Sequence, residues 1–269
     1  MRKAILFAVA LVFLDWNLFS QSGNNRGREA HEIKNSTFFA DGTLDEYTTT
    51  EWNSTYTHVD NEVKYSASGA MLEQVEFAYN DDKGWKTTKI TRDVESRLKN
   101  RIVYQYNEQG KLWRESLVDN KGKVVSTYEY GYDSRGNQIS RVMKNRTGNK
   151  LAETVYTYDA SGKMLTSETK DAGDNKISST KYNYDSQGNL INQQVFNGAG
   201  QVTSVISSVF QGGLETRNEI KTPDGNVQMR VTNEYGKDGE LTKKTIENFQ
   251  GDSKQVIQYE YVFRPRRQS

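Results

Sequence analysis

Three acidic side chains recur at a fixed interval and are the first candidates for chemistry in this sequence. Asp133, Asp159 and Asp185 each follow a tyrosine, precede a glycine by three residues and stand 26 residues apart. Repeated aspartates at glycine turns bind calcium in some solenoid proteins. Asn107 and Gly236, however, occupy the same position in two further copies of the motif. A turn tolerates that exchange better than a metal site does, so we interpret the aspartates as turn residues and expect no metal.

The sequence contains few of the residues that other catalytic systems need. The chain has two histidines, at 31 and 58, and no cysteine, so nucleophiles that rely on a histidine or a thiolate are disfavoured. Paired carboxylates that hydrolyse glycosides stay open as an alternative, because 35 acidic residues are available and such pairs need only the right separation. No pattern selects one pair. We therefore interpret the protein as a non-enzyme without a cofactor.

Trp85 and Trp113 are the candidate ligand-binding aromatic residues. Trp85 directly follows Gly84, at a position that is polar in other copies of the motif. An exposed tryptophan there would suit a sugar or a partner protein. Counted from Tyr79 instead, Trp85 aligns with Leu112 and would pack in the core. Core packing is the favoured interpretation, and binding is the alternative.

The repeated motif Y-D-x-x-G has the chemistry of a tight turn. Aspartate at the first turn position accepts hydrogen bonds from backbone N–H groups two residues on, and glycine at the fourth allows the positive φ that returns the chain to a strand. We assign a structural role to the turn residues Asp133, Gly136, Asp159, Gly162, Asp185 and Gly188.

The elements that carry these turns are predicted to be strands. A second glycine series lies between the first, so a turn recurs about every 13 residues and two turns make a 26-residue hairpin repeat. Tyr130 and Tyr132, like Tyr156 and Tyr158, are two residues apart and share a strand face. The pattern predicts an all-β fold, an antiparallel β-meander of about sixteen strands. Because sheets beyond about ten strands curl or close, we expect an elongated curled sheet or an open barrel.

The chain ends have compositions of their own. Residues 1–20 have the basic start, apolar run and small final residue of a secretory signal peptide. Residues 21–36 are polar and are predicted to be a flexible leader, 37–263 a single repeat-built domain, and 264–269 a basic tail. The absence of cysteine excludes a lipid-anchored cysteine. These features predict export to the periplasm or the outside of a Gram-negative-type bacterium, not as a lipoprotein.

Charge and its distribution limit the partners. Without residues 1–20 the chain has 34 basic (36 − 2) and 34 acidic (35 − 1) side chains, which gives no reason to expect nucleic acid. Arg114, Glu115 and Arg141 fall in mid-strand on both faces. An arginine in the middle of a bilayer costs about 2–4 kcal/mol, so we expect no membrane insertion.

The motif also suggests a family. The segments Tyr132-Asp133-x-x-Gly136, Tyr158-Asp159-x-x-Gly162 and Tyr184-Asp185-x-x-Gly188 resemble the YD repeats of RHS and teneurin-type proteins. The pattern is also similar to uncharacterised secreted bacterial families of unknown function. The resemblance implies a curled β-sheet shell without an activity of its own. We therefore expect a secreted, non-catalytic binding or structural module whose partner is a glycan or another protein.

The signal-peptide hypothesis is tested by the mass of the exported protein. We expect cleavage after Ser20, so that the mature chain begins at Gln21. Intact-mass measurement of material exported by the host reads the cleavage site directly. Recovery of the uncut chain from a membrane fraction would contradict the hypothesis.

Overall fold

A computed structural model of the chain describes residues 30–53 and 57–263, which form one antiparallel sheet of eighteen strands. The strands are β1 (Ala30–Phe38), β2 (Leu44–Trp52), β3 (Val59–Ser66), β4 (Met71–Tyr79), β5 (Lys86–Asp93), β6 (Leu98–Tyr106), β7 (Leu112–Val118), β8 (Val124–Tyr132), β9 (Gln138–Asn145), β10 (Lys150–Tyr158), β11 (Met164–Asp171), β12 (Lys176–Tyr184), β13 (Leu190–Asn197), β14 (Val202–Gln211), β15 (Leu214–Lys221), β16 (Val227–Tyr235), β17 (Leu241–Asn248) and β18 (Ser253–Phe263). None of these described residues forms a helix long and apolar enough to cross a membrane.

The sheet closes on itself. Each strand pairs with the next one in the chain, and β1 pairs with both β2 and β18, where Asn35 lies opposite Tyr259. The all-β meander is confirmed, but the strand count is eighteen rather than about sixteen and the barrel is closed rather than open. Closure has a physical reason, because it leaves no row of unpaired backbone groups at a sheet edge.

The first strand begins inside the segment that the sequence assigned to a polar leader. β1 starts at Ala30, whereas the predicted domain starts at residue 37. Its sequence AHEIKNSTF has neither the turn motif nor an apolar alternation, so it reads as a leader. Pairing with β2 and β18 makes it a strand. The predicted signal peptide and basic tail lie outside the described residues.

The Y-D-x-x-G turns have the geometry that their residue types indicate. At the turn between β10 and β11, the Asp159 carboxylate accepts hydrogen bonds from the N–H groups of Ser161 (2.8 Å) and Lys163 (2.9 Å). Gly162 has a φ of 84° and donates its N–H to the Asp159 carbonyl at 3.1 Å. Asp133 and Asp185 make the same pair of backbone contacts, and Gly136 and Gly188 have φ values of 85° and 91°.

The irregular spacing in the second glycine series also has a structural cause. At the turn after β11 the residue with positive φ is Asp174 (63°), not Gly173, and after β17 it is Asp252 (45°), not Gly251. Aspartate tolerates the left-handed region better than most residues. Counted by backbone conformation, the interval from Gly148 to Asp174 is again 26 residues.

Almost every strand pair contains a β-bulge. Seventeen of the eighteen pairings shift register, and β17–β18 is the exception. Trp113, Ile139, Leu165 and Ile191, which form an apolar column in the sequence, are the residues skipped in their pairings. Ile139 and Leu165 are exposed. The column therefore marks bulges rather than a packed core.

The tyrosine of the motif satisfies a backbone carbonyl beside the bulge. Tyr132 donates its hydroxyl to the carbonyl of Leu112 at 2.7 Å, and Leu112 adjoins the bulge residue Trp113. The same bond spans 20 residues seven times, from Tyr79, Tyr106, Tyr132, Tyr158, Tyr184, Tyr235 and Tyr261. Trp52 and Phe210 stand at this position in two further hairpins. These tyrosines therefore belong to the repeated turns, bulges and strand pairs that build the barrel, which we call the frame.

The two faces of the sheet differ in exposure. On β10, Thr154 is buried on the face that carries Tyr156 and Tyr158, whereas Leu151 and Thr157 on the other face are exposed. β12 repeats the pattern, with Tyr182 buried on the tyrosine face. In a closed sheet the concave face is the more shielded one, so we infer that the tyrosine face lines the barrel interior.

The interior is not packed as a sandwich core. Among the described residues, strands approach only their neighbours around the ring, and no side chain there is fully buried. Packed protein cores contain such side chains. A circular barrel of eighteen strands spaced about 4.8 Å apart with a typical tilt of about 36° would be about 34 Å across between backbones. From this size and the neighbour-only contacts we infer that the inner face borders an open interior.

A substitution pair tests the turn geometry. Gly162→Val should destabilise the protein by about 1–3 kcal/mol, because a β-branched residue is strained at positive φ. Asp159→Ala removes exposed turn bonds and should cost about 0.5–1.5 kcal/mol. Urea denaturation measures both. Gly173→Val is the matched control, since that glycine lacks a positive φ; equal midpoints for Gly162→Val and Asp159→Ala would contradict this account of the turn.

Candidate functional site

One cross-strand pair recurs at the same depth in every hairpin of the barrel. In each pair, one residue lies two positions before the motif tyrosine, or before the residue that replaces this tyrosine. The other residue lies directly opposite on the neighbouring strand, and both lie on the inner face. The pairs, which we call the inner belt, are Thr50–Glu62, Phe77–Lys89, Tyr104–Glu115, Tyr130–Arg141, Tyr156–Ser167, Tyr182–Gln193, Ser208–Asn218, Asn233–Lys244 and Tyr259–Asn35.

Half of the inner belt is an aromatic arc. Five successive even-numbered strands, β4 to β12, supply its rings: Phe77, Tyr104, Tyr130, Tyr156 and Tyr182. The arc forms because β-strand side chains alternate and these residues stand two before the tyrosines that bond to the bulge carbonyls. All except Tyr182 are partly exposed. The arc therefore presents aromatic rings toward the interior on successive hairpins.

The odd-numbered strands place a polar residue opposite each ring. Lys89, Glu115, Arg141, Ser167 and Gln193 each lie five residues after the glycine of the preceding turn, at intervals of 26. The backbone position repeats while the side chain changes in charge and hydrogen-bonding capacity. The frame is thus constant and the chemistry of the belt varies from hairpin to hairpin.

Glu115 sets the electrostatics at the centre of the arc. Burial is the largest cause of the raised pKa of Tyr104 and of Tyr130, and the Glu115 charge is the next. The same two causes raise the pKa of Tyr106 and of Tyr132. No cation lies within ion-pair distance of Glu115 among the described residues. Four neutral phenols therefore surround one carboxylate.

Cations stand over the rings on either side of Glu115. The Lys86 ammonium lies 4.4 Å from the centre of the Phe77 ring and 6.0 Å from that of Tyr104. The Arg141 guanidinium lies 5.3 Å from the centre of the Tyr128 ring, which is also on the inner face. Contacts of this kind favour a cation over an aromatic face by about 0.5–2 kcal/mol. These contacts hold Lys86 and Arg141 in position over the rings.

Hydrogen bonds replace rings where the arc ends. Ser208 accepts a bond from the Asn218 amide at 2.9 Å, and the same amide contacts Glu215 at 3.3 Å. The Asn233 amide donates to the Glu215 carbonyl at 2.9 Å. These residues belong to β14–β16. The inner belt therefore has an aromatic part and a polar part.

The two candidate tryptophans lie outside the inner belt. Trp85 packs against Tyr106 in a tilted arrangement with ring centres 5.0 Å apart, and the Lys83 ammonium lies 4.3 Å from the centre of the Trp85 ring. The Trp85 carbonyl accepts the turn hydrogen bond from the Asn80 N–H, just as the Lys111 carbonyl does at the corresponding turn. Trp85 therefore occupies the usually polar position of Lys111 and not the position of Leu112.

Trp113 occupies the bulge of β7, and the Arg114 guanidinium lies 4.3 Å from the centre of its ring. The described ring contacts do not join Trp113 to Trp85. The structure therefore does not bring the two tryptophans into one site. The turn aspartates and glycines do not form a common site either, because each turn carries its own aspartate and glycine.

The outer face carries many charged side chains, and several of them form ion pairs. The Glu129 carboxylate binds Arg114 at 2.7 Å and Lys144 at 2.6 Å, and the hydrogen bond from Lys144 is the largest cause of its lowered pKa. Glu219 binds Arg230 at 2.8 Å and Lys221 at 3.0 Å. Among the described residues, the inner-arc cations Lys86, Lys89 and Arg141 contact aromatic rings and take part in no ion pair of this kind.

Metal ligands do not cluster in the part of the chain that the structure describes. Residues 30–53 and 57–263 contain no group of three or more histidine, aspartate or glutamate side chains placed to hold an ion.

Comparison with known proteins gives architectural similarity only. No family model and no curated protein matches the chain. A porin-like protein from Bacteroides uniformis is 10% identical over 87% of this chain and 98% of its own, with a TM-score of 0.44. A porin-like protein from Bacteroides vulgatus is 13% identical over 87% and 99%, with a TM-score of 0.38.

The crystal structure of TcdB2-TccC3 is 13% identical over 87% of this chain but only 16% of its own, with a TM-score of 0.33. With TM-scores below 0.5, none of these similarities assigns a function to the chain. The closed barrel itself is established by its strand pairing.

Sequence reasoning missed the inner belt, although its signal is present. Lys89, Glu115 and Arg141 recur at intervals of 26, as regularly as the turn glycines. Their charges differ, so they do not resemble a motif. Only the pairing of each one with an aromatic residue on the neighbouring strand identifies them as one site.

The buried phenols predict a loss of stability at alkaline pH. Burial raises the pKa of Tyr79 and of Tyr261 to about 12, above the value of about 10 in an unfolded chain. The folded state therefore favours the neutral phenol, and this stabilisation is complete below pH 10 and lost as the pH rises toward 12. We expect the urea midpoint to fall between pH 10 and 12.

Tyrosinate absorbance at 295 nm provides the control for that measurement. A share of the 16 tyrosines should ionise only when the protein unfolds. Ionisation of every tyrosine near pH 10 with the far-ultraviolet circular dichroism unchanged would show that the phenols are not shielded.

Proposed function

We propose that this protein is an exported, non-catalytic binding barrel that holds a glycan against the inner belt. One observation carries the proposal: five aromatic side chains from Phe77 to Tyr182 lie at one depth on successive hairpins, each beside a polar residue. Ligand sites combine apolar or aromatic walls with a few placed polar groups. A sugar ring offers the complement, an apolar face and a rim of hydroxyl groups.

The dimensions of the arc favour an extended ligand. Adjacent strands are about 4.8 Å apart, so aromatic residues on alternate strands are spaced by about 10 Å. The five rings thus span about 40 Å measured along the sheet. A polymer that contacts several rings gains from each of them, whereas a small molecule would use one pair. This supports a polysaccharide over a monosaccharide.

The positions of the belt carboxylates support binding rather than hydrolysis. Glu62 and Glu115 lie on β3 and β7, four strand spacings apart, which is about 19 Å between backbones. The carboxyl pairs of glycoside hydrolases are about 5–9.5 Å apart. The carboxylates of the belt therefore do not form such a pair, and we propose that the protein is not an enzyme.

The outer face supports a barrel surrounded by water. Glu129 and Glu219 form ion pairs in mid-strand on this face. Charged groups on a lipid-facing surface would be costly. We therefore propose that the barrel is not inserted in a membrane. The signal-like residues 1–20 support export, and the likeness of the turn motif to YD repeats supports a shell-like frame.

Binding is tested with the purified protein and a panel of neutral polysaccharides. Retention on at least one polymer without release of product is the expected result. Replacing Tyr130 and Tyr156 together by alanine should weaken retention about 5- to 150-fold, because each ring contact contributes about 0.5–1.5 kcal/mol. Affinity electrophoresis and analysis of released sugars measure the two properties.

The matched control is Tyr47→Ala. Tyr47 stacks on Tyr65 with ring centres 4.9 Å apart, and it alternates with Thr50, so it faces outward. This variant should bind as the unmodified protein does. Equal losses in the inner and outer variants would place the site elsewhere, and sugar release abolished by one Asp or Glu substitution in a folded protein would overturn the non-catalytic assignment.

A further inference from the structure

Two lysines share one aromatic ring at the start of the arc. The ammonium groups of Lys86 and Lys89 lie 4.4 Å and 5.8 Å from the centre of the Phe77 ring. Both residues are on β5, and Lys89 is the direct cross-strand partner of Phe77. Because both ammonium groups are held over one ring, two positive charges are concentrated at one place on the inner face.

Neither of the two positive charges is neutralised within residues 30–53 and 57–263. The ion pairs there link other charged side chains, and neither Lys86 nor Lys89 takes part in one. Burial and then the charge of Lys89 lower the pKa of Lys86. Partly buried lysines that repel each other are destabilising unless an anion joins them.

The neighbouring carboxylates are too far away to serve as that anion. Glu62 on β3 and Glu115 on β7 favour the charged form of Lys86 through space, but neither lies within 4 Å of it. Tyr104, from β6, supplies a ring rather than a charge. On the far side of Glu115, Arg141 adds a third cation that forms no ion pair with another described residue. The arc therefore carries an excess of positive charge.

We propose that Lys86 and Lys89 bind an anionic group of the ligand above the Phe77 ring. This inference rests on the proposed function, and it names the ligand class as an acidic glycan that carries carboxylate groups. A carboxylate can accept charge-assisted hydrogen bonds from two ammonium donors. The sugar ring that bears it stacks on the aromatic arc while its charge is neutralised at β5.

The inference is tested with one polymer in two charge states. Hexagalacturonate and its methyl ester have the same sugar backbone, but only the first carries carboxylates. Isothermal titration calorimetry at low salt should give about tenfold tighter binding of the acid form. Raising the salt concentration should reduce that preference, because ions screen charge pairs.

Three variants locate the anionic site. Lys86→Met with Lys89→Met should abolish the preference, so that the acid form and the ester bind with the same affinity. Lys89→Arg should retain the preference, since the charge remains. Lys144→Met, which removes an outer-face cation bound to Glu129, should change neither affinity. Circular dichroism verifies that each variant is folded.

The outcomes separate the two proposals. If both charge states bind equally and Tyr130→Ala weakens both, the glycan-binding proposal stands and the anionic site is wrong. If the acid form does not bind, the inference is overturned, while the neutral polymers still decide the broader proposal. If the preference for the acid form survives in the double lysine variant, the carboxylates bind at another site and the proposed role of Lys86 and Lys89 is wrong.

Discussion

The hydrogen bond from each motif tyrosine to a carbonyl beside a bulge is the interaction on which the frame depends. A bulge interrupts the ladder, and an unpaired backbone carbonyl is costly when it is shielded from water. Bulges also increase local twist, and a closed sheet needs twisted, tilted strands. Tyr132, bonded to the Leu112 carbonyl, shows how one side chain lets the bulge exist. Its recurrence in seven hairpins makes the curvature a property of the repeat.

The repeat separates the frame from the site. A positive-φ glycine recurs at most turns and a tyrosine recurs beside most bulges, because each performs the same backbone task in every copy. The polar side of the inner belt changes from Lys89 to Glu115 to Arg141 at equivalent backbone positions. A purely structural role would not require such variation on a shielded face. The specificity of the barrel is therefore expected where the copies differ.

Charged side chains on the sheet differ in whether other side chains neutralise them. On the outer face, Glu129 is bound by two cations and Glu219 by three, and such partly exposed pairs add little stability. On the inner arc, Lys86, Lys89 and Arg141 have aromatic rings as neighbours and form no ion pair with any residue that the structure describes. The unpaired charges lie where a ligand would meet them, which links the electrostatics of the sheet to the proposed binding.

The sequence alone determined the local structure, and the tertiary structure decided what that structure encloses. Asp159 and Gly162 specify a turn because their side-chain and backbone preferences act within five residues, and period-two alternation specifies strands for the same local reason. Closure depends on the pairing of Asn35 with Tyr259, more than 200 residues apart, and no local pattern in the polar strand β1 announces it. The inner belt is also non-local, since Lys89 and Phe77 become one site only through strand register. Local preferences fixed the repeat, while long-range backbone pairing fixed the strand number, the closed barrel and the side chains that face its interior.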